Sequence, residues 1–268
     1  MSKELIKKFF GKEKIEYFAV LDYRSVRESA PEIMERESFT PRSVIVFLMP
    51  YYTGEGINLS SYAVSLDYHI ALRGVCRRLA EALATAYPNM HARAYGDHSP
   101  IDERHAAVIG GLGVFGDSGL IINEKYGTYV FIGDLVTDID PSALGAMEPT
   151  EPRGCIHCGA CEAACPTGVL RGSGEDCLSA LTQKKGALTE REESYIRLGG
   201  YVFGCDECQR ACPYNRAPKM TPVPFFYRER IPALSREILD GMGREELSRR
   251  AFGWRGRRLL ERNLEILK

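Results

Sequence analysis

No stretch of about 18 or more uncharged apolar residues occurs in this chain, so length alone excludes a membrane-spanning helix. The start, MSKELIKKFFGKEK, has neither an apolar signal core nor a twin-arginine pair. It is charged and amphipathic, and the cytoplasm is the expected location. Low-complexity tracts are absent, and no segment is poor enough in apolar residues to read as disordered. Net charge is nearly absent too: the formal value is −1, so no single sign dominates the surface. The 268 residues suffice for one large domain and one small one, with one tryptophan and an ordinary 44% hydrophobic share.

What the chain does have is nine cysteines. In a reducing compartment, clustered cysteines bind metal more often than they pair. CIHCGACEAACP places Cys155, Cys158, Cys161 and Cys165 in the spacing C-x2-C-x2-C-x3-C-P, the run of bacterial ferredoxins. Three thiolates two residues apart wrap one cubane, while the fourth is carried away on the following helix to the other cluster. The second half, GCDECQRACPYN, supplies Cys205, Cys208 and Cys212, one short of a set. Cys177 is the plausible completion, because Cys76 falls in the preceding domain. The inferred ligands are Cys155, Cys158, Cys161 and Cys212 for one 4Fe–4S cluster, and Cys165, Cys177, Cys205 and Cys208 for the other. Structural zinc is the competing reading, but it has no need of crossed Cys-Pro ends. Cys76, on the apolar side of a helical pattern, reads as a buried bystander.

The first 150 residues alternate between strand-like and helix-like patterns, an α+β or α/β mixture. Tyr17–Leu21, Ser43–Met49, His91–Tyr95, Gly119–Ile122 and Thr128–Thr137 read as strands. Leu59–Tyr87 and Ile101–Ile109 read as helices, the first carrying Tyr68, Leu72, Val75, Leu79 and Leu83 at helical spacing. Asp140–Gly154, dense in Pro and Gly, reads as a linker. From Arg216 onward there are 13 Lys or Arg against 7 Asp or Glu, roughly +6. The expected division is 1–150, 151–222 for the iron–sulfur part, and 223–268 for a basic tail.

Within the first domain three segments stand out: LDYH at Leu66–His69, GDHSPIDERHAAVIGGLGVFG at Gly96–Gly116, and GTYVFIGDLVTD at Gly127–Asp138. Taken singly they are weak. Asp97 after Gly96 fits a turn or an N-cap, GGLGVFG lacks the context of a dinucleotide fingerprint, and His69, His98 and His105 form no metal pattern.

In order, however, these segments, the cysteine runs, CLSALTQKKG and FGWRGRRLLERN resemble the epoxyqueuosine reductase family, and the resemblance covers most of the chain. It implies a nitroreductase-like cobalamin domain, a ferredoxin-like double-cluster module and a short helical tail. It also implies reduction of epoxyqueuosine to queuosine in tRNA, with electrons relayed through the clusters from an external donor such as flavodoxin or ferredoxin. The family's general acid maps onto Asp97, which would also contact cobalamin, as would Ile121, Ser179 and Asp206.

The match departs at Gly116-Asp117-Ser118, where the family usually carries a basic residue. It departs again at the end, where the family's HEAT-type repeats are expected to be missing. Arg249, Arg250, Arg255, Arg257 and Arg258 would partly replace their phosphate contacts. Two other readings compete: a corrinoid reductase of a small molecule, as in the dehalogenases, and a non-catalytic electron carrier.

Overall fold

The structure, a computed structural model, describes residues 2–268. The described chain forms two compact units, 2–50 with 69–156 and 51–68 with 157–268.

The first unit is built on a four-stranded antiparallel sheet. Helix α1 (Ser2–Glu13) leads in, burying Ile6 and Phe10 four residues apart while its lysines stay in water. Burying such a side chain contributes roughly 1.5–3 kcal/mol. Strand β1 (Tyr17–Asp22) follows, then β2 (Ser43–Pro50), whose unbroken apolar run is buried along its whole length. Helix α2 (Tyr68–Ala84) turns Leu72, Val75, Cys76, Leu79 and Leu83 inward. Next come β3 (Ala92–Tyr95), α3 (Glu103–Ile109), a small hairpin of β4 (Val114–Phe115) and β5 (Ile121–Ile122), β6 (Val130–Thr137), and the single turn α4 (Pro141–Leu144). The sheet order is β1-β2-β6-β3.

Register decides which side chains share a face. Val46 lies opposite both Ala19 and Asp134, and Asp134 lies opposite Tyr95. Cross-strand partners project to the same side, so Asp134 shares the face on which Ala19, Val44, Val46, Leu48 and Val136 pack with Ala106–Ile109 of α3. Asp102 caps α3 through its side chain, accepting from the His105 amide at 3.0 Å.

The second unit is mainly short helices: α5 (Ala160–Ala164), α6 (Leu178–Gln183), α7 (Glu190–Gly199), α8 (Glu207–Ala211), α9 (Arg236–Gly241), α10 (Arg244–Ser248) and α11 (Arg257–Ile266). A capping box starts α7, with Thr189 and Glu192 each accepting from the other's backbone. Leu178, Ile196 and Tyr201 form its small core, joined by Cys205 and Ile266. The terminal helix is tied down through Asn263, whose amide donates to the Thr182 and Val202 carbonyls at 2.7 and 2.8 Å.

Candidate functional site

In the second unit two nearly repeated pieces of chain carry the thiols. Cys161 lies in α5 and Cys208 in α8, and these two short helices pack on one another. Each ends at a cysteine followed by proline, Cys165-Pro166 and Cys212-Pro213, where the missing N–H stops the helix. Burial pushes the Cys208 thiol up to about 12, and the charges of Cys177, Asp206, Cys161 and Cys165 add to it. Burial does the same to Cys205, with Cys208 and Cys177 adding to it. At Cys165, burial is outweighed by hydrogen bonds from the Thr167 side chain and the nearby backbone, and its pKa falls. Cysteines from three separate stretches thus sense one another's charge. A thiol array of this kind ionises when a metal cluster binds and supplies the opposing charge. The donor set fits two cubanes. None of the nine cysteines is in a disulfide, and Cys155 lies near the end of the first unit, its amide donating to the Phe115 carbonyl at 2.8 Å.

Between Cys205 and Cys208 sits Asp206, fully buried. Its carboxylate accepts from the Ser60 hydroxyl, from the Ser61 amide at 2.7 Å and from the Gln209 side chain at 3.0 Å. Through it, the Tyr51–Tyr68 segment is fastened to the cysteine loop, helped by a parallel bridge between Leu59 and Phe203. Gly204 makes that approach possible. Its φ is +78°, and a Cβ there would lie 2.4 Å from the Ser60 Cβ. This clamp was not legible in the sequence, where Asp206 stood out only as a cofactor contact. Ser179 lies on α6, half-buried, its hydroxyl accepting from Gln183 at 3.3 Å.

In the first unit Asp97 stands on the loop between β3 and α3 with φ +66°, a left-handed conformation costly for a non-glycine residue. It does not cap α3; Asp102 does. Its side chain is 57% exposed and its Oδ2 lies 3.5 Å from His69 Nε2. The loop is anchored directly after it. Ser99 is buried and donates its hydroxyl to Asp134 at 3.1 Å, and the Ser29 amide and hydroxyl bond back to the Pro100 and Ser99 carbonyls. Glu103, the acid of the DHSPIDER block, turns inward. It accepts from the Asp97 backbone and lies within hydrogen-bonding distance of Asp134. Burial raises its pKa strongly, and the Asp134 charge raises it further. Asp134, fully buried, is raised by burial as well. Sequence reading passed over both residues. The available signal was an acid at position 134 in a strand whose alternate residues Val130, Ile132 and Val136 face the apolar side.

Ile121 is buried within β5, so its side chain belongs to the first unit's core. Gly116-Asp117-Ser118 forms the tip of the β4–β5 hairpin, closed by the Gly119 amide on the Gly116 carbonyl at 2.8 Å. The basic tail is largely committed within its own unit. Arg250 is buried and bonded to Glu229 and Glu246, Arg257 donates to the Leu239 and Met242 carbonyls, and Arg249 pairs with Glu229 at 2.9 Å. Arg255 lies over the exposed Trp254 ring at 3.6 Å, and Arg258 is exposed. The five arginines are therefore not one free phosphate-binding face. Among the described residues no helix is long and apolar enough to cross a membrane.

Residues 154–215 match the family model described as 4Fe-4S double cluster binding domain, and residues 35–98 match the model Epoxyqueuosine reductase QueG, DUF1730. An epoxyqueuosine reductase of Listeria monocytogenes is 29% identical over 95% of this chain and 70% of its own length. That of Escherichia coli is 36% identical over 68% of this chain and 48% of its own. The chain thus spans from about half to 70% of these relatives. Among solved structures, the Streptococcus thermophilus epoxyqueuosine reductase superposes over 100% of this chain and 81% of its own, with TM-score 0.77 and 23% identity. An epoxyqueuosine reductase crystallised with a tRNA-Tyr epoxyqueuosine-modified stem loop gives TM-score 0.78 at 22% identity, covering 98% of this chain and 80% of that one. At these identities the structures establish the fold.

Proposed function

Because this chain belongs to the epoxyqueuosine reductase family, we propose that it is a cytoplasmic, cobalamin-dependent iron–sulfur reductase that converts epoxyqueuosine to queuosine in tRNA. The observation that carries the reading is the Asp97 loop. An accessible carboxyl is held in a strained conformation by buried anchors, in the same chain as a double-cluster cysteine segment.

Removing an epoxide oxygen takes two electrons and two protons and leaves an alkene and water. A bound corrin supplies a strongly reducing centre for such a step. The chain's own residues would do the rest. Asp97 delivers a proton to the departing oxygen, and for that it must be protonated when substrate is in place. His69, 3.5 Å away, is placed to return a proton to it. Asp97 and Ser179 offer polar side-chain atoms to a corrin. Ile121 and Asp206 would contribute main-chain atoms, since the first side chain is packed in the core and the second carboxylate is fully engaged. The eight cysteines Cys155, Cys158, Cys161, Cys165, Cys177, Cys205, Cys208 and Cys212 would hold the clusters, fed by an external donor of the flavodoxin or ferredoxin kind.

The test uses reconstituted full-length protein with cobalamin, a reductant and an epoxyqueuosine-containing stem loop, read by mass spectrometry for queuosine. Turnover is expected in the parent. Asp97→Asn is expected to keep the cobalamin spectral change and lose at least about 100-fold in rate, within the range for a general acid. No product from the parent overturns the proposed substrate, and parent-like turnover by Asp97→Asn overturns the acid.

A further inference from the structure

Behind the Asp97 loop lie two carboxyl groups that no cation among the described residues neutralises. Asp134 is fully buried at the centre of β6, and Glu103 reaches it from the first turn of α3. The two are within hydrogen-bonding distance of one another. Neither forms an ion pair among the described residues, and Glu103 Oε1 and Asp134 Oδ1 are both buried with no donor. Two carboxylate oxygens facing each other in an apolar core cannot both stay ionised. Each would lack a hydrogen-bond donor, and like charges at that range repel. One proton between them satisfies both atoms at once.

The groups facing the pair are weak acids or neutral donors. Tyr95 lies opposite Asp134 from β3, Tyr23 approaches from the segment after β1, and Cys76 from α2 donates its thiol to the Asp134 carbonyl at 3.6 Å. Burial raises the pKa of all three. Ser99 is the hydroxyl donor, and the charge of Asp97, paired outward with His69, also acts on Glu103. The other link is to the Asp97 backbone, from which Glu103 accepts a hydrogen bond. Ser99 and Glu103 therefore hold the loop two and six residues beyond Asp97, both through Asp134.

We propose that Glu103 and Asp134 share one proton and act together as a positioning pair that holds the Asp97 loop in its left-handed conformation. The proton rests on Glu103, with Asp134 as acceptor, which leaves the other Glu103 oxygen to receive the Asp97 amide. Ionising the pair at high pH adds a second buried negative charge beneath the loop and loosens it, so turnover falls on the alkaline side without any change at Asp97 itself. The inference rests on Asp97 being the proton donor for its catalytic consequence, but not for the shared proton.

Two measurements separate these parts. Infrared difference spectroscopy of the reconstituted protein near neutral pH should show the carbonyl stretch of one buried protonated carboxyl. That band should persist in Asp97→Asn and vanish in both Glu103→Gln and Asp134→Asn, where an amide donor replaces the proton. A parent without the band, or a band that survives both substitutions, overturns the shared proton whatever the substrate proves to be. In the stem-loop assay, Glu103→Ala should lose about 10-fold or more in kcat with cobalamin binding retained. Glu103→Gln, which keeps an acceptor for the Asp97 amide, should recover most of that rate and lose the alkaline limb. Equal loss in the Ala and Gln variants, or an unchanged alkaline limb in Gln, overturns the positioning role. A parent inactive on the stem loop, with the band present, fails the proposed substrate alone.

Discussion

Asp206 and Asp134 are both fully buried acids, and the two units accommodate them in opposite ways. Asp206 is surrounded by donors from Ser60, Ser61 and Gln209, so its charge is solvated by protein and becomes a clamp. Asp134 meets one hydroxyl, from Ser99, and another acid, Glu103. There the burden of burial is met by protonation instead of by donors. The difference is instructive because burial alone does not tell what a carboxylate is for. The donor count does: a saturated acid holds structure, and an under-supplied one holds a proton.

The largest expected effect breaks the first half of that contrast. Asp206→Ala strands three buried donors at once and should destabilise the second unit by roughly 3 kcal/mol or more. Urea denaturation followed by the cluster absorbance reads this as early loss of iron. Asp206→Asn keeps one acceptor oxygen and should cost about 1–2 kcal/mol. Equal stability of parent and Asp206→Ala would remove the clamp.

An intermediate effect lies in the pH dependence of the first unit. The folded-state pKa values of Glu103 and Asp134 are raised above their ordinary carboxyl values. The native state therefore holds a proton that the unfolded chain releases. Their contribution is whole below the ordinary carboxyl range and is lost as pH rises toward the raised values, by up to about 1.4 kcal/mol per pH unit for one proton. Denaturation monitored by circular dichroism between about pH 5 and 8 should show this fall in the parent and a flatter line in Glu103→Gln.

The smallest effect is that of Ser99→Ala, which removes the hydroxyl that Asp134 has. About 1 kcal/mol of stability should go. Because that hydrogen bond lowers the Asp134 pKa, its loss should also carry the protonated-carboxyl infrared band to higher pH. A band that titrates at the parent pH would show the hydroxyl to be irrelevant to the pair.

Much of this was legible in the chain itself. The strands read at Tyr17–Leu21 and Ser43–Met49 are observed at Tyr17–Asp22 and Ser43–Pro50. The alternating and continuous apolar runs leave few other ways to bury those residues. The helix read from Leu59 begins only at Tyr68. Its quoted apolar spacing starts there too, and Leu59, Ser60 and Ser61 are instead drawn to Phe203 and Asp206. The basic tail read as a charged surface, yet Arg250 and Arg257 bond inward, because carbonyls and acids distant in sequence meet them only after folding.

By itself the sequence determined the cysteine pattern, the positions of the main strands and helices and the family resemblance, because spacing and periodicity are local properties written residue by residue. Tertiary structure alone decided that 51–68 joins the second unit, that Asp206 is a clamp, and that Glu103 meets Asp134. Those outcomes depend on which donors and charges arrive from distant segments, and a buried carboxyl's protonation follows from that company and not from its neighbours in the chain.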